Sequence, residues 1–481
     1  MKKSGKIIAL VLTVALSLGC VTAFAQDAIE ENAELDLNLI ENRMIDLATD
    51  YIMENWLYEA NKEELYRNAL RQIIAENPEL YDTALKGMFG NLDEFSEYYT
   101  EEEYSAFIED ISGEMCGIGV GIMEFTQGLQ VINVYKDSPA EAAGMKQGDI
   151  ITTVDGNDIV GMYVEAARQY IIGEAGTDVI IGYIRDGVYY EVAVTRGVIA
   201  TESTYSQIIE GNIGYLAISQ FDEHLYEKVK KELEYFDENG IVDIIIDLRN
   251  NPGGSLDSLI AVAGEFIPKG PIVHIDYNGE DYDDTFYSVL EKTKYNLAVL
   301  VNEYSASASE AFAGAVKDTK SGVIVGKTTY GKGTMQNVVG VTVGGGIRLT
   351  MAEYLTPNKN HVHNIGVAPD IEVENIVEKY IGEQFDDFTY ERKMAIGDTG
   401  ADVFALNQRM YALGYSVGIP DDVYDEDLYY AVKKFQDSNN LYPYGVCDIT
   451  TQLAIENALQ DEEILIDRQL DAAINLFKNE K

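Results

Sequence analysis

The segment that most restricts the fold lies between residue 201 and about residue 375, where short, wholly apolar runs recur between helical stretches. Ile244 to Leu248, Leu297 to Val301 and Val323 to Val325 are runs of this kind and read as strands. Strands that alternate with helices in this way give a mixed α/β core. The flanking segments have other textures. Residues 27–112 are acidic and helical, with Leu47, Tyr51, Ile52 and Leu65, Ala69, Ile73 at helical spacing. Residues 113–200 are short strands and turns with one helix from Val164 to Ile172, and a compact helical unit follows from Ile396 to about Ala458. A final amphipathic helix runs from about Glu462 to Lys478. The chain therefore reads as multidomain, α+β and mixed α/β.

Composition narrows the partners. A chain of 481 residues with 46% hydrophobic content has material for several packed domains and is not disordered as a whole. Against 35 Lys and Arg stand 82 Asp and Glu, a net charge of −47, which repels phosphate backbones and excludes nucleic acid as a natural partner. At the N-terminus Lys2, Lys3 and Lys6 precede an apolar run from Ile7 to Leu18, and Ala23-Phe24-Ala25 supplies small residues for cleavage. This is the pattern of a signal peptide over residues 1–25, its apolar run shorter than the ~20 residues that span a bilayer. Gly19-Cys20 offers a lipid-anchor reading, against which Ser17 stands where a large aliphatic residue is expected. The mature chain is thus expected outside the cytoplasm, associated with the cell wall or membrane. Only Cys116 and Cys447 then remain, in separate segments, so no disulfide framework is expected, and no metal-ligand spacing is present.

Three pieces can carry chemistry. The first is Asn302-Glu303-Tyr304-Ser305-Ala306-Ser307-Ala308-Ser309-Glu310, where a strand hands over to a helix beginning near Ala308. A hydroxyl at such a corner faces a helix N-terminus, whose free N–H groups stabilise developing negative charge. Ser307 to Glu310 is equally a capping box, S-x-x-E, and a serine there can simply cap. The second is Tyr330-Gly331-Lys332-Gly333-Thr334-Met335-Gln336. A serine needs a base, and none of His224, His274, His361 and His363 lies in a legible motif. A lysine serves if burial keeps it neutral, and glycines on both sides let backbone pack around the amine. The bland alternative is a solvated lysine in a glycine turn. The third is Asp247-Leu248-Arg249-Asn250-Asn251-Pro252-Gly253-Gly254, a buried strand ending in a turn whose glycines can bare N–H groups to a cavity.

In chain order, Asp247 to Gly254, Ser305 to Glu310 and Gly331 to Gln336, the three pieces resemble the C-terminal processing peptidases, also called tail-specific proteases. The 25-position separation of Ser307 and Lys332 matches that family's Ser-Lys pairing and singles out Ser307 from Ser305 and Ser309. The resemblance implies Ser307 as nucleophile, Lys332 as general base and Gln336 as the residue orienting the amine. It implies an oxyanion hole from the N–H of Ala308 with one from Gly253 or Gly254. It continues through Arg348-Leu349-Thr350, Thr356-Pro357 and Gly366-Val367-Ala368-Pro369-Asp370, covering roughly residues 40–375. No metal or organic cofactor is implied.

Residues 113–200 resemble a PDZ domain. Gly117, Ile118, Gly119 and Val120 would form the loop whose amides capture a peptide's terminal carboxylate, backed by Ser138-Pro139-Ala140 and Gly148-Asp149-Ile150-Ile151. Residues 395–458 resemble a three-helix peptidoglycan-binding domain through Gly397-Asp398-Thr399-Gly400, Leu413-Gly414-Tyr415 and Phe435-Gln436, departing at Asn407, where glutamine is usual, and at Leu428, where threonine is. The last helix, residues 462–478 with Asp467-Arg468-Gln469-Leu470, looks like a closing helix of the protease body at 201–390. The implied function is an exported serine endopeptidase that takes protein substrates by their free C-termini, with peptidoglycan as a further partner and homodimerisation through the helices of residues 27–112. Two alternatives remain open: a non-catalytic wall adaptor built on the PDZ and glycan modules, and a Ser-His-Asp hydrolase using His274.

Overall fold

The computed structural model describes residues 48–54, 61–135, 138–185, 187–277, 284–341, 345–460 and 462–478, and the expected signal peptide lies outside them. The chain divides into two units, up to Met88 and from Phe89 onward. The first carries helix α1 (Lys62–Glu76) and all but the last residue of α2 (Tyr81–Phe89). The Asn61 side chain caps α1 by accepting from the Glu64 N–H. Neither helix buries a residue, which leaves Leu70, Ile73 and Met88 exposed.

The second unit begins with β1 (Glu97–Tyr99) and α3 (Glu101–Ser112), then enters a β-rich module through β2 (Glu114–Gly117). Inside it are β3 (Val120–Phe125), β4 (Gly128–Val134), β5 (Ile150–Val154), α4 (Val164–Ile171), β6 (Asp178–Arg185) and β7 (Val188–Thr195), and the chain leaves through β8 (Gly197–Ala200). Strands β3 to β7 form one antiparallel sheet in chain order around Leu129, Val131, Ile151, Val179 and Ile181. β2 and β8 pair antiparallel, so entry and exit make a single two-stranded neck.

The α/β core comes next, with β9 (Thr204–Ile209), β10 (Ile213–Ile218), α5 (Leu225–Glu238), β11 (Asp243–Asp247), α6 (Leu256–Ala263), β12 (Gly270–Tyr277), β13 (Asp284–Ser288), β14 (Asn296–Val301), α7 (Ala308–Thr319), β15 (Gly322–Gly326), β16 (Thr334–Val341), β17 (Gly345–Leu355) and β18 (Ile371–Glu372). The central sheet has the order β9-β10-β11-β14-β15-β18, with only β9 antiparallel. β11 and β14 are apolar almost throughout because both their faces are covered. On one face Ile244, Ile246, Val299 and Val301 pack with Leu225, Leu259 and Phe312, and on the other Ile245, Ala298 and Leu300 pack with Leu470, Ala473 and Phe477. A second, antiparallel sheet runs β1-β17-β12-β13, with β16 also paired to β17.

Beyond β18 the chain leaves through β19 (Ile376–Lys379) and winds α8 (Ala401–Ala412), α9 (Glu426–Ser438) and α10 (Ile449–Leu459) around Leu406, Tyr424, Leu428, Val432 and Ile455. It returns through β20 (Glu463–Ile466), which pairs with β19, and ends in α11 (Arg468–Lys478). The final helix is therefore shorter than its sequence suggests. Glu463-Ile464-Leu465-Ile466 alternates exposed and buried positions and finds a strand partner, so helix starts only after Asp467, whose carboxylate accepts from the Leu470 N–H.

Candidate active site

Strand β14 ends at Val301 and α7 begins at Ala308, and the corner between them distinguishes three serines. The Ser305 hydroxyl donates to the Leu248 carbonyl at 2.8 Å and that of Ser309 to the Asn251 carbonyl at 3.1 Å, both inside the protein. Ser307 lies at the helix cap with φ 56° and ψ −115°, a backbone region that suits glycine. Such a conformation costs roughly 1–3 kcal/mol and persists where its surroundings dictate it. Ser307 lines a cleft of about 470 Å³ whose walls also include Gly253, Gly254, Ala308, Lys332 and Gln336. All six residues expected at a catalytic centre thus face one cavity.

Lys332 precedes β16 in a backbone that leaves no room for side chains. Gly331 has φ +94°, and a Cβ on Gly333 would lie 2.2 Å from the His363 nitrogen. The Lys332 amine rests 4.8 Å from the centre of the Phe95 ring and makes no hydrogen bond or ion pair with any described residue. Burial pulls its pKa below the ordinary 10.5, and the nearby Arg348 guanidinium pulls the same way, while Glu310 and Glu94 oppose them.

Two buried groups tie the serine to the lysine. One oxygen of the Glu310 carboxylate accepts from the Ser307 N–H at 2.9 Å and the Lys332 N–H at 2.8 Å. The other accepts from the Thr329 hydroxyl at 2.5 Å and the Gly331 N–H at 2.6 Å. From the other side, the Tyr354 hydroxyl reaches the carbonyls of Ser307 at 2.9 Å and Lys332 at 2.7 Å. The capping-box glutamate is therefore a cap and also a brace for both candidate catalytic backbones.

Gly253 sits against the corner: a Cβ there would fall 2.7 Å from the Ser307 Cβ and 2.8 Å from the Ala308 nitrogen, at φ +103°. Its own N–H donates to the Asn251 side chain at 2.8 Å. The loop is pinned to the corner by Asn251, whose carbonyl also accepts from the Ala306 N–H, and by a reciprocal Asn250–Asn302 pair. Gln336 does not contact the amine. Its amide nitrogen donates to the hydroxyls of Thr334 at 3.0 Å and Thr350 at 3.1 Å.

In the β-rich module Gly117, Ile118, Gly119 and Val120 line a cavity of about 200 Å³ together with Arg168 and Ile199. The carbonyls of Ile118 and Gly119 accept from the Ala140 and Tyr135 N–H groups. In trans peptides the next N–H points the opposite way, so the Gly119 and Val120 amides face away from those partners. His274 is not brought to the cleft: its ring nitrogens engage Thr285 and the Pro357 carbonyl. Sequence reasoning missed Phe95, Tyr354 and the bracing role of Glu310. Only Glu310 carried a legible signal, as the fourth residue of the capping box.

A serine on a strained strand–helix corner and a desolvated amine in one cleft of an α/β core are the marks of a serine-type peptidase. Comparison with known proteins agrees with that class. Residues 212–373 match the model for peptidase family S41, residues 116–195 that for the PDZ domain, and residues 399–455 that for a putative peptidoglycan binding domain. The chain is 32% identical over 431 residues to the carboxy-terminal processing protease CtpA of Bacillus subtilis, covering 89% of this chain and 90% of that one. It is 31% identical over 427 residues to a probable CtpA-like serine protease of Staphylococcus epidermidis, covering 88% and 85%. Among solved structures, the photosystem II D1 C-terminal processing protease aligns with 25% identity and a TM-score of 0.39, covering 69% of this chain and 93% of that one. The chain belongs to peptidase family S41, with the CtpA-like carboxy-terminal processing proteases.

Proposed function

We propose that this serine peptidase works outside the cytoplasm through a Ser307–Lys332 pair on proteins presented by their C-terminal tails. The observation that carries the reading is the shared cleft, in which an amine without a carboxylate partner lies on a backbone braced to that of a strained serine. Neutral Lys332 takes the proton as the Ser307 oxygen bonds to the substrate carbonyl carbon. The resulting oxyanion is met by the Ala308 N–H and by that of Gly254, since the Gly253 N–H is already donated to Asn251. As the C–N bond breaks, the lysine returns its proton to the leaving amine, and water releases the acyl group by the same steps. Gln336, held by Thr334 and Thr350, lines the same cleft as a neutral amide and adds no negative charge there.

The tail is read in the PDZ module. The amides of Gly119 and Val120 receive the terminal carboxylate beside Arg168, and the apolar cavity receives the last side chain. The helical module after β19 anchors the enzyme to peptidoglycan, and the exposed apolar residues of α1 and α2 join two copies. The test incubates the protein with a denatured polypeptide of defined tail. Ser307→Ala and Lys332→Met should each abolish fragments while tail-peptide binding persists, and cleavage surviving either change would overturn the pairing.

A further inference from the structure

The segment that re-enters the core after the glycan-type module ends in a half-buried carboxylate that the reaction above leaves unused. Asp467 lies between β20 and α11, with its side chain 15% exposed. Both its oxygens accept from one Arg249 nitrogen, at 2.7 and 2.8 Å, and Gln469 accepts from the same nitrogen at 3.3 Å. The other two guanidinium nitrogens are held by Asp247 at 2.5 to 2.9 Å, and Asp247 also accepts from the Tyr215 hydroxyl at 2.7 Å. Arg249 is thus fixed on both sides, by the end of the strand before it and by a residue 218 positions away.

The residues just beyond Arg249 give this pairing its consequence. Asn250 has φ +60°, a left-handed conformation that asparagine adopts more readily than most non-glycine residues. It opens the turn through Asn251 to Gly254 that packs against Ser307 and Ala308. At Asn250 itself restraint comes from Asn302 and past the turn from the corner; just before the turn it comes from the Arg249 side chain. A guanidinium held by one carboxylate of the strand before it can swing with that strand, whereas a second carboxylate from another element fixes its position in space.

We propose that Asp467 is a positioning residue for the peptidase: through Arg249 it holds the turn at Asn250 and so the Gly254 amide that meets the oxyanion. The proposal rests on the Ser307–Lys332 reading. It also means that the catalytic centre is finished only when the chain has passed through the glycan-type module and docked α11.

The experiment uses the full chain with Asp467→Ala, Asp467→Asn and, as control, Ser307→Ala. An internally quenched peptide gives kcat and KM, a peptide boronic acid reports the tetrahedral state, and melting is measured in parallel. For Asp467→Ala we expect kcat to fall by up to about 100-fold, the scale of a small misplacement at a reacting centre. KM and tail-peptide affinity should hold within about twofold, the boronate should weaken in step with kcat, and added formate should restore part of the rate. Asp467→Asn keeps a helix cap and one acceptor for Arg249, so it should fold and lose several-fold in kcat. If Asp467→Ala does not fold, the asparagine variant decides. Folded variants with unchanged kcat, or a loss in kcat that leaves boronate affinity intact, would sink the proposal. Retained activity in Ser307→Ala would instead sink the reading beneath it.

Discussion

Replacing Glu310 by glutamine isolates the brace between Ser307 and Lys332, because it keeps size and shape and turns one oxygen into a donor. Four donors converge on this carboxylate, two per oxygen: the Ser307 and Lys332 N–H groups on one, the Thr329 hydroxyl and Gly331 N–H on the other. Whichever oxygen becomes NH2, two donors then face a donor inside the protein. At about 1–3 kcal/mol for each buried group left unpaired, Glu310→Gln should cost about 2–6 kcal/mol. The hydroxyl of Thr329 can rotate away, so the amide should turn its nitrogen toward Thr329 and Gly331, at the lower end of that range. Melting should drop by at least about 4 °C, taking about 2–4 °C per kcal/mol for a domain of this size. Electrostatics supply a second, opposite signature. Glu310 holds the Lys332 pKa up, so a neutral amide lets it fall, and the acid limb of kcat/KM moves to lower pH even as the plateau declines. Calorimetry and a pH series on the quenched peptide read both effects. An unchanged melting point, or an acid limb displaced to higher pH, would refute the bracing argument.

Arg348 acts on the same amine with the other sign, since it lowers the Lys332 pKa, so Arg348→Gln should move the acid limb to higher pH in the same assay. In the unaltered protein, kcat/KM should rise with pH along a limb below 10.5, and stability should rise too between the depressed folded pKa of Lys332 and its unfolded value, where the unfolded chain holds the extra proton; Lys332→Met should flatten that part of a denaturation series. In the PDZ module, Arg168→Ala should weaken tail-peptide binding about 10-fold by titration calorimetry, the scale of one partly screened charged hydrogen bond, while cleavage of a short peptide without a tail stays unchanged.

Legible and hidden features of the sequence divide along the range of the interactions. The three candidate pieces are local: each lies where a strand meets a turn, and composition marks such places, as in Pro252-Gly253-Gly254 or Gly331-Lys332-Gly333. The mixed α/β class was legible because β11 and β14 are covered on both faces and therefore lack alternation. The span from Glu463 to Ile466 misled because a four-residue strand exists only by virtue of β19, which lies on the far side of the whole helical module and sets Val377 opposite Leu465. Gln336 was expected to touch the amine, yet Thr350, from the neighbouring strand β17, shares its amide, a contact that no local pattern encodes. Tyr354 belongs to the same class: one tyrosine among 33 has no mark in sequence until β17 carries it under both Ser307 and Lys332.

The module after β19 is tied into the rest of the chain at several points. Its two necks pair with each other, its exit delivers Asp467 to Arg249, and its helix α9 reaches the PDZ module, where the Thr126 N–H and hydroxyl donate to Asp437 at 2.9 and 2.8 Å and Lys433 lies over Phe125. A third contact joins the module to the core, where Gln207 bonds Ile419 and Asp421. The strengths of these links differ. The Asp467 contact is mostly buried and charge-assisted, so it can hold a geometry that catalysis needs. The Thr126 contact is exposed and worth on the order of 1 kcal/mol, enough to orient the PDZ module and too little to lock it. The same insertion thus makes a buried, charged contact with the α/β core and an exposed one with the PDZ module.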